Sequence, residues 1–171
     1  MIKKIFRNYL EILSIKDLKE SPKPKINYSI NKVNQKDFQL NKFLYTQIGK
    51  KYQWIDRLVW ADQKWISYIS NENLSTFVLK YNEDLAGYCE LLFHREKEEA
   101  EIAYFGLLEE YYGKKLGGYL LTEVLKNSFL SLKVKRIWCH TCSLDHKNAL
   151  KNYLSRGMSI FKSETLNLKN N

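Results

Sequence analysis

Between residues 99 and 130 the chain changes its hydrophobic period once, and that change limits what it can fold into. The run "EIAYFGLL" alternates as a strand does through Leu107. Leu116, Leu120, Leu121, Val124, Leu125 and Phe129 then recur at intervals of three and four, the spacing of a helix with one buried face. The connection, "EEYYGKKLGG", must therefore turn a strand into a helix within a few residues. Gly113, Gly117 and Gly118 fall in it, beside Lys114 and Lys115. A helix start leaves backbone N–H groups without intrahelical partners and carries the positive end of the helix dipole, so glycines there let a phosphate come close. Clustered glycines are equally the mark of a tightly packed turn. The segment alone leaves both readings open.

The flanking segments set the architecture. "NQKDFQLNKFLYTQI" places Phe38, Phe43, Leu44 and Ile48 on roughly one helical face and is stopped by Gly49. Leu58, Val59, Trp65, Ile66 and Ile69 predict a second helix over 56–69. "LSTFVLKYNEDLAGYCELLFH" reads as two strands around the turn residues Asn82, Glu83 and Asp84. "VKRIWCHTC" is a strand and "LDHKNALKNYLSRG" a short helix, with acid at its start and Arg156-Gly157 at its end. "MSIFKSETLNL" supplies the last strand. Near the start, Ile26, Tyr28 and Ile30 alternate as a half-buried strand, and "SPKPK" links it to a further strand in the first residues. This order predicts an α+β fold, a central mixed but mostly antiparallel sheet with helices on both faces. We expect a single domain over 1–171, with 1–25 an N-terminal strand and linker extension that offers a surface for a homodimer.

Charge and cysteine usage narrow the function classes. The net charge of +9 comes from 28 Lys and Arg against 19 Asp and Glu, and the lysines are scattered, which favours anionic partners only in a general way. No clustered basic stripe or nucleic-acid motif is present, so a nucleic-acid partner is not expected. No Gly-Lys-Ser or Gly-Lys-Thr follows the glycines, which excludes a P-loop. No apolar run approaches the roughly 20 residues of a membrane helix. Arg7, Asn8 and Glu11 interrupt what would be a signal-peptide core, so the expected compartment is the cytoplasm. Cys139 and Cys142 lie on a strand, where their spacing sends them to opposite faces, and with Cys89 they form no zinc pattern. No metal is expected.

Three ordered blocks resemble the GNAT superfamily of N-acetyltransferases. Its loop, Gln/Arg-x-x-Gly-x-Gly/Ala between a strand and a helix, is similar to Tyr112 to Gly117, with the last glycine matched, Tyr112 at the Gln/Arg position and Lys115 at the first glycine. "NALKNYLSRGM" resembles the family's Ala-Ile/Leu-x-x-Tyr-x-x-x-Gly-Phe through Ala149, Leu150, Tyr153 and Gly157, with Met158 in place of Phe. "AEIAYFGL" looks like the strand whose acid is a general base in several members, here Glu101.

The resemblance implies acetyl-CoA as donor and a small-molecule amine or a protein amino group as acceptor. Pyrophosphate would rest on the backbone around Tyr112, Gly113, Lys114, Lys115, Gly117 and Gly118. Pantetheine would lie along Phe105, Gly106 and Leu107, where the strand splays and Gly106 eases an irregular backbone. His146 would cap the following helix or touch the cofactor. An alkyl ammonium titrates near ~10, so an amine must lose a proton before it attacks, and Glu101 is the nominated base. Tyr153 would return a proton to the departing thiolate. Glu90 is a rival acid, and within an apolar strand its charge needs a partner or a ligand. With Trp54 and Arg57 it is nominated for the acceptor side, where Trp65 and Leu58 are assigned to the core. Two other classes compete: a silent acyl-CoA-binding module, which needs neither Glu101 nor Tyr153, and a basic nucleic-acid-binding protein.

Overall fold

The computed structural model describes residues 2–25 and 27–169. Its strands are β1 (Ile2–Ile12), β2 (Tyr28–Lys32), β3 (Leu74–Tyr81), β4 (Asp84–His94), β5 (Glu99–Leu107), β6 (Arg136–Cys142) and β7 (Ser159–Lys169). Its helices are α1 (Phe38–Gly49), α2 (Asp62–Ile69), α3 (Leu116–Leu130) and α4 (Ala149–Ser155). The strands form one seven-stranded sheet in the order β2-β3-β4-β5-β6-β1-β7. Among the described residues only β5 and β6 pair in parallel, so the expected mixed, mostly antiparallel sheet is what forms.

Helices cover both faces. On one, α3 and Tyr153 of α4 pack onto Cys89, Leu91, Ile102, Ile137 and Cys139. On the other, Leu44 and Ile48 of α1 meet Val78 and Tyr88. Each fully buried Leu or Ile side chain contributes about 1.5–3 kcal/mol. The β3–β4 hairpin turns at Asn82 and Glu83, both with positive φ (47° and 71°), the backbone of a two-residue turn that matches strand twist.

The first strand does not sit at an edge. β1 lies between β6 and β7, paired antiparallel with both, and the free edges belong to β2 and β7. Over residues 7–11 both edges of β1 are occupied, while the residues before Arg7 pair with β7 alone. Tyr28 and Ile30 are half-buried on β2, whereas Ile26 lies outside the described residues.

Three details of the helices depart from the periodicity. The buried stripe of α1 is Asn41, Leu44, Tyr45 and Ile48, while Phe43 is exposed. The stripe is rotated because the Asn41 amide is drawn inward to donate to Glu90 (2.8 Å) and Thr76 (2.9 Å). The second helix starts at Asp62 instead of Asp56, and Leu58, Val59 and Ile66 stay exposed. Residues 56–59 form turns, with the Arg57 side chain directed into the protein. In the last helix the expected acid does not serve the helix start, because the Asp145 carboxylate accepts from the Thr141 hydroxyl and the Cys142 amide at the end of β6.

Gly157, at φ 94°, ends the α4 turn where only a bare backbone fits, since a Cβ would run into the Asp17 carbonyl. The Lys19 amide donates to the Arg156 carbonyl beside it (3.1 Å), fixing the linker after β1 against α4. Gly157→Ala therefore combines a disallowed φ with a backbone clash and should destabilise the protein by about 2 kcal/mol or more, read as a lower urea midpoint with an unchanged slope.

Candidate functional site

The site begins where β5 and β6 separate. Their parallel pairing runs only through Glu99 with Arg136, Ala100 with Ile137, and Glu101 with Trp138. β5 continues to Leu107 and β6 to Cys142 without further pairing between them, and a cavity of about 1110 Å³ occupies the gap. Ile102 to Leu107 form one wall and His140 to Cys142 the other. The register of β5 against β4 slips at Ala103, which is the extra residue between Tyr104, opposite Glu90, and Ile102, opposite Leu91. The irregular backbone thus lies at Ala103 and not at Gly106. Gly106 is in register with Tyr88 and is small because Ile48 presses against it.

At one end of the cavity stands the start of α3. Its first amide bonded to Lys115 is that of Tyr119 (3.4 Å), so the amides of Leu116, Gly117 and Gly118 are the helix-start donors. Gly113 has φ 77°, and Lys115, the helix N-cap, has φ 60° and ψ 13°. Lys115 therefore takes up the left-handed conformation that the resemblance assigns to a glycine. A Cβ on Gly117 would meet only ordinary contacts from Asn152 and Leu107, so its absence leaves room above the amide. Gly118 serves packing instead, closing against Ser21 and the Arg156 guanidinium.

Arg156 lines the cavity there, and its Nε is buried with no partner among the described residues. Burial holds its pKa below the ordinary value. Lys114 does not line the cavity, and its ammonium lies over the Tyr111 ring at 5.1 Å. Tyr112 does, with its hydroxyl 3.0 Å from that of Tyr52 and its ring edge-on to His146 at 5.0 Å. His146 Nδ1 accepts from the Asn148 amide at the N-cap of α4, so it supports the helix start while its ring faces the cavity.

Tyr153 reaches the cavity from the core face, 6% exposed and packed on Phe105 with ring centroids 6.0 Å apart. Burial, with the nearby Cys139 and Cys89 sulfurs, pushes its phenol well above 10, so it stays protonated. On the opposite face Trp54 and Tyr104 meet at 4.8 Å, and the Asp56 carboxylate accepts from the Tyr45 and Tyr104 hydroxyls at 2.8 Å each. Burial first, then Asp56, raises both phenols, Tyr45 to about 12. Trp54, Asp56 and Tyr104 all line the cavity.

Besides Lys114, three nominated residues lie elsewhere. Glu90, fully buried, accepts from Arg57 (2.8 Å), the Tyr68 hydroxyl (2.8 Å) and Asn41 (2.8 Å). Arg57 is 6% exposed and its guanidinium sits over the Tyr68 ring at 4.0 Å and the Tyr104 ring at 4.2 Å. Burial alone would lower the Arg57 pKa, and Glu90 with Tyr68 more than reverses that. The pair is a closed internal network, and neither residue lines the cavity. Glu101 does not line the cavity either, and its Oε2 lies 3.0 Å from His94 Nε2.

Sequence reasoning missed Asp56, Tyr104, His140 and Arg156. His140 lies inside "CHTC", where the cysteine spacing is the stronger local signal. In the fold Cys139 is buried in the core and Cys142 borders the cavity from the other side of β6.

Residues 34–158 match the Acetyltransferase (GNAT) family. The chain belongs to that family. No curated protein matches it. Among solved structures, a GCN5-related N-acetyltransferase from Sphaerobacter thermophilus aligns with TM-score 0.75 at 13% identity, over 95% of this chain and 50% of the other. A functionally unknown conserved protein from Staphylococcus epidermidis aligns with TM-score 0.67 at 15% identity, over 96% and 61%. An aminoglycoside acetyltransferase from an uncultured soil metagenomic sample aligns with TM-score 0.63 at 14% identity, over 76% and 87%. This GNAT chain thus spans 50–61% of the length of the first of these relatives, and the likeness is one of fold.

Two substitutions separate strain from support in this GNAT chain. A left-handed residue other than glycine costs about 1–2 kcal/mol and a glycine loses about 0.5–1 kcal/mol more entropy on folding. Lys115→Gly should therefore raise stability by up to about 1 kcal/mol, read by urea titration. Glu90→Gln strands the buried Arg57 charge and should destabilise by about 3 kcal/mol or more in the same titration.

Proposed function

We propose that the protein transfers an acetyl group from acetyl-CoA to a primary amine by direct attack. The observation that carries this reading is a cavity that passes through the sheet at the β5–β6 separation, from the start of α3 on one face to the Trp54–Asp56–Tyr104 corner on the other. A donor and an acceptor entering from opposite faces would meet in the gap, and holding reactants together removes much of the entropic barrier.

The residues at the cofactor end fit acetyl-CoA. Its phosphates need N–H donors and positive charge. The amides of Leu116, Gly117 and Gly118, the open space above Gly117 and the orphaned Nε of Arg156 supply the donors, with Lys115 adding charge. The open edge of β5 from Phe105 to Leu107 offers backbone groups for pantetheine and for the thioester oxygen. When bound, acetyl-CoA supplies an activated acyl carbon with a thiol leaving group. Tyr153, kept protonated by burial, is placed to give that sulfur a proton.

On the other face, the Trp54 and Tyr104 rings and the Asp56 carboxylate suit a cation, by charge and by ring quadrupole. The acceptor we propose is a small cationic amine. Two of the structural relatives are described as aminoglycoside acetyltransferases, one of them in complex with sisomicin, which supports this class. The protein's general positive field favours the anionic donor, and Asp56 provides the local exception. Among the described residues no helix is long and apolar enough to cross a membrane, and the cysteines are free. The proposed compartment is the cytoplasm, where thiols stay reduced.

Acetyl-CoA at 100 times its Kd should stabilise the protein by about 2.7 kcal/mol, seen as a higher Tm. No shift at saturation would remove the donor from this reading. Tyr153→Phe should keep the shift while turnover in a thiol-release assay against a panel of cationic amines falls about 10²- to 10⁴-fold. Full turnover in that variant would take the acid role from Tyr153.

A further inference from the structure

We infer that His140 is the general base of this reaction, accepting the amine's proton on the face of the sheet opposite Tyr153; the inference rests on the acetyl-transfer reading above.

The alternation of β6 sends Ile137, Cys139 and Thr141 into the core face, and so turns Trp138 and His140 to the other. On β5, the slip at Ala103 turns Tyr104 to that same second face. Continuing the parallel register past Glu101 and Trp138 would set His140 opposite Ala103, where the strands have parted. His140 therefore stands at the mouth of the gap on the side of the acceptor corner. Tyr153 reaches the gap from the core face, the side of α3. A thioester carbonyl in the gap would be attacked from the first side and lose its sulfur toward the second. The two proton transfers need groups on opposite faces, and these two residues are so placed.

Both ring nitrogens of His140 lack a hydrogen-bond partner among the described residues, although its ring packs edge-on to Tyr9 at 5.7 Å. One nitrogen is therefore available to accept. Glu101, the acid nominated by resemblance, is outside the cavity and paired with His94. Partial desolvation, then the Arg7 guanidinium, hold the imidazole below its ordinary 6.5, against the opposing carboxylates of Asp145, Glu101 and Glu164. Tyr9, also facing it, donates its own proton to Glu164 at 2.6 Å. His140 is thus mostly neutral at pH 7, the state a base requires.

The step balances. The amine nitrogen forms the N–C bond, and one N–H proton passes to His140 as the C–S bond breaks. The departing sulfur takes the Tyr153 proton. Exchange with water removes the proton from His140 and restores that of Tyr153, leaving amide and free thiol.

A base works deprotonated, so kcat/KM should be full above the lowered His140 pKa and fall with pH through it. The acceptor's own ammonium adds a separate limb near ~10. His140→Gln should keep the acetyl-CoA shift in Tm, lower kcat about 10²- to 10⁴-fold and erase the limb below 6.5. Glu101→Gln should leave that limb in place. An NMR titration of the imidazoles in the protein without donor should assign His140 a midpoint below 6.5. A limb that survives in His140→Gln, a limb lost in Glu101→Gln, or a His140 midpoint above about 7 overturns the inference while the acetyl-transfer reading stands. A wild type that acetylates no amine and shows no acetyl-CoA shift overturns both.

Discussion

Everything that makes this protein more than a covered sheet depends on the short parallel contact between β5 and β6. Three residue pairs hold the strands together, and beyond Glu101 they diverge. A continuous sheet would have satisfied the edge of β5 and sealed one face from the other. The separation leaves backbone donors and acceptors open along Ile102 to Leu107 and opens a passage between the faces. The slip at Ala103 assists it, because a bulged strand bends and twists away from its neighbour. The strands on either side are held independently, β5 by β4 and β6 by β1, so the gap costs little of the fold's stability.

A second constraint fixes the cavity wall on the face opposite α3. Residues 50–61 carry Trp54 and Asp56 but lack regular structure, and a loop of that kind needs an anchor. Arg57 provides it by entering the core to meet Glu90. A buried ion pair is weak evidence for stability, since desolvating both charges costs several kcal/mol each. Here Asn41 and Tyr68 complete the carboxylate's bonding and aromatic rings surround the guanidinium, so the cost is offset. The pair gives a defined position more than net energy. With Arg57 fixed, Asp56 is delivered to the hydroxyls of Tyr45 and Tyr104 at the cavity wall.

Local signals in the sequence proved legible where local physics decides. The hairpin at Asn82-Glu83, the helix of α3 and the end of α4 at Gly157 all follow from short-range backbone preferences. Periodicity failed where a polar group overrode it. Phe43 matched the stripe of α1 as well as Asn41 did, and only the presence of Glu90 beneath the helix explains why the amide is inside and the ring outside. Leu58 and Val59 extended an apolar pattern that the turn around Arg57 cuts off. Within an apolar strand Glu90 needs a partner, but whether that partner is a ligand or an arginine is a question of distance in space.

The sequence by itself determined the order of strands and helices, the strand-to-helix turn with its exposed amides, and the presence of a phenol and several acids around it, because these depend on neighbours a few residues away. Only the tertiary structure decided which of those groups meet. It placed β1 between β6 and β7, took Glu90 and Arg57 into the interior, paired Glu101 with His94, and set His140 and Tyr153 on opposite sides of one gap. Strand pairing joins residues more than a hundred positions apart, as Tyr9 and His140 are, and no local period in the chain records which strands will pair.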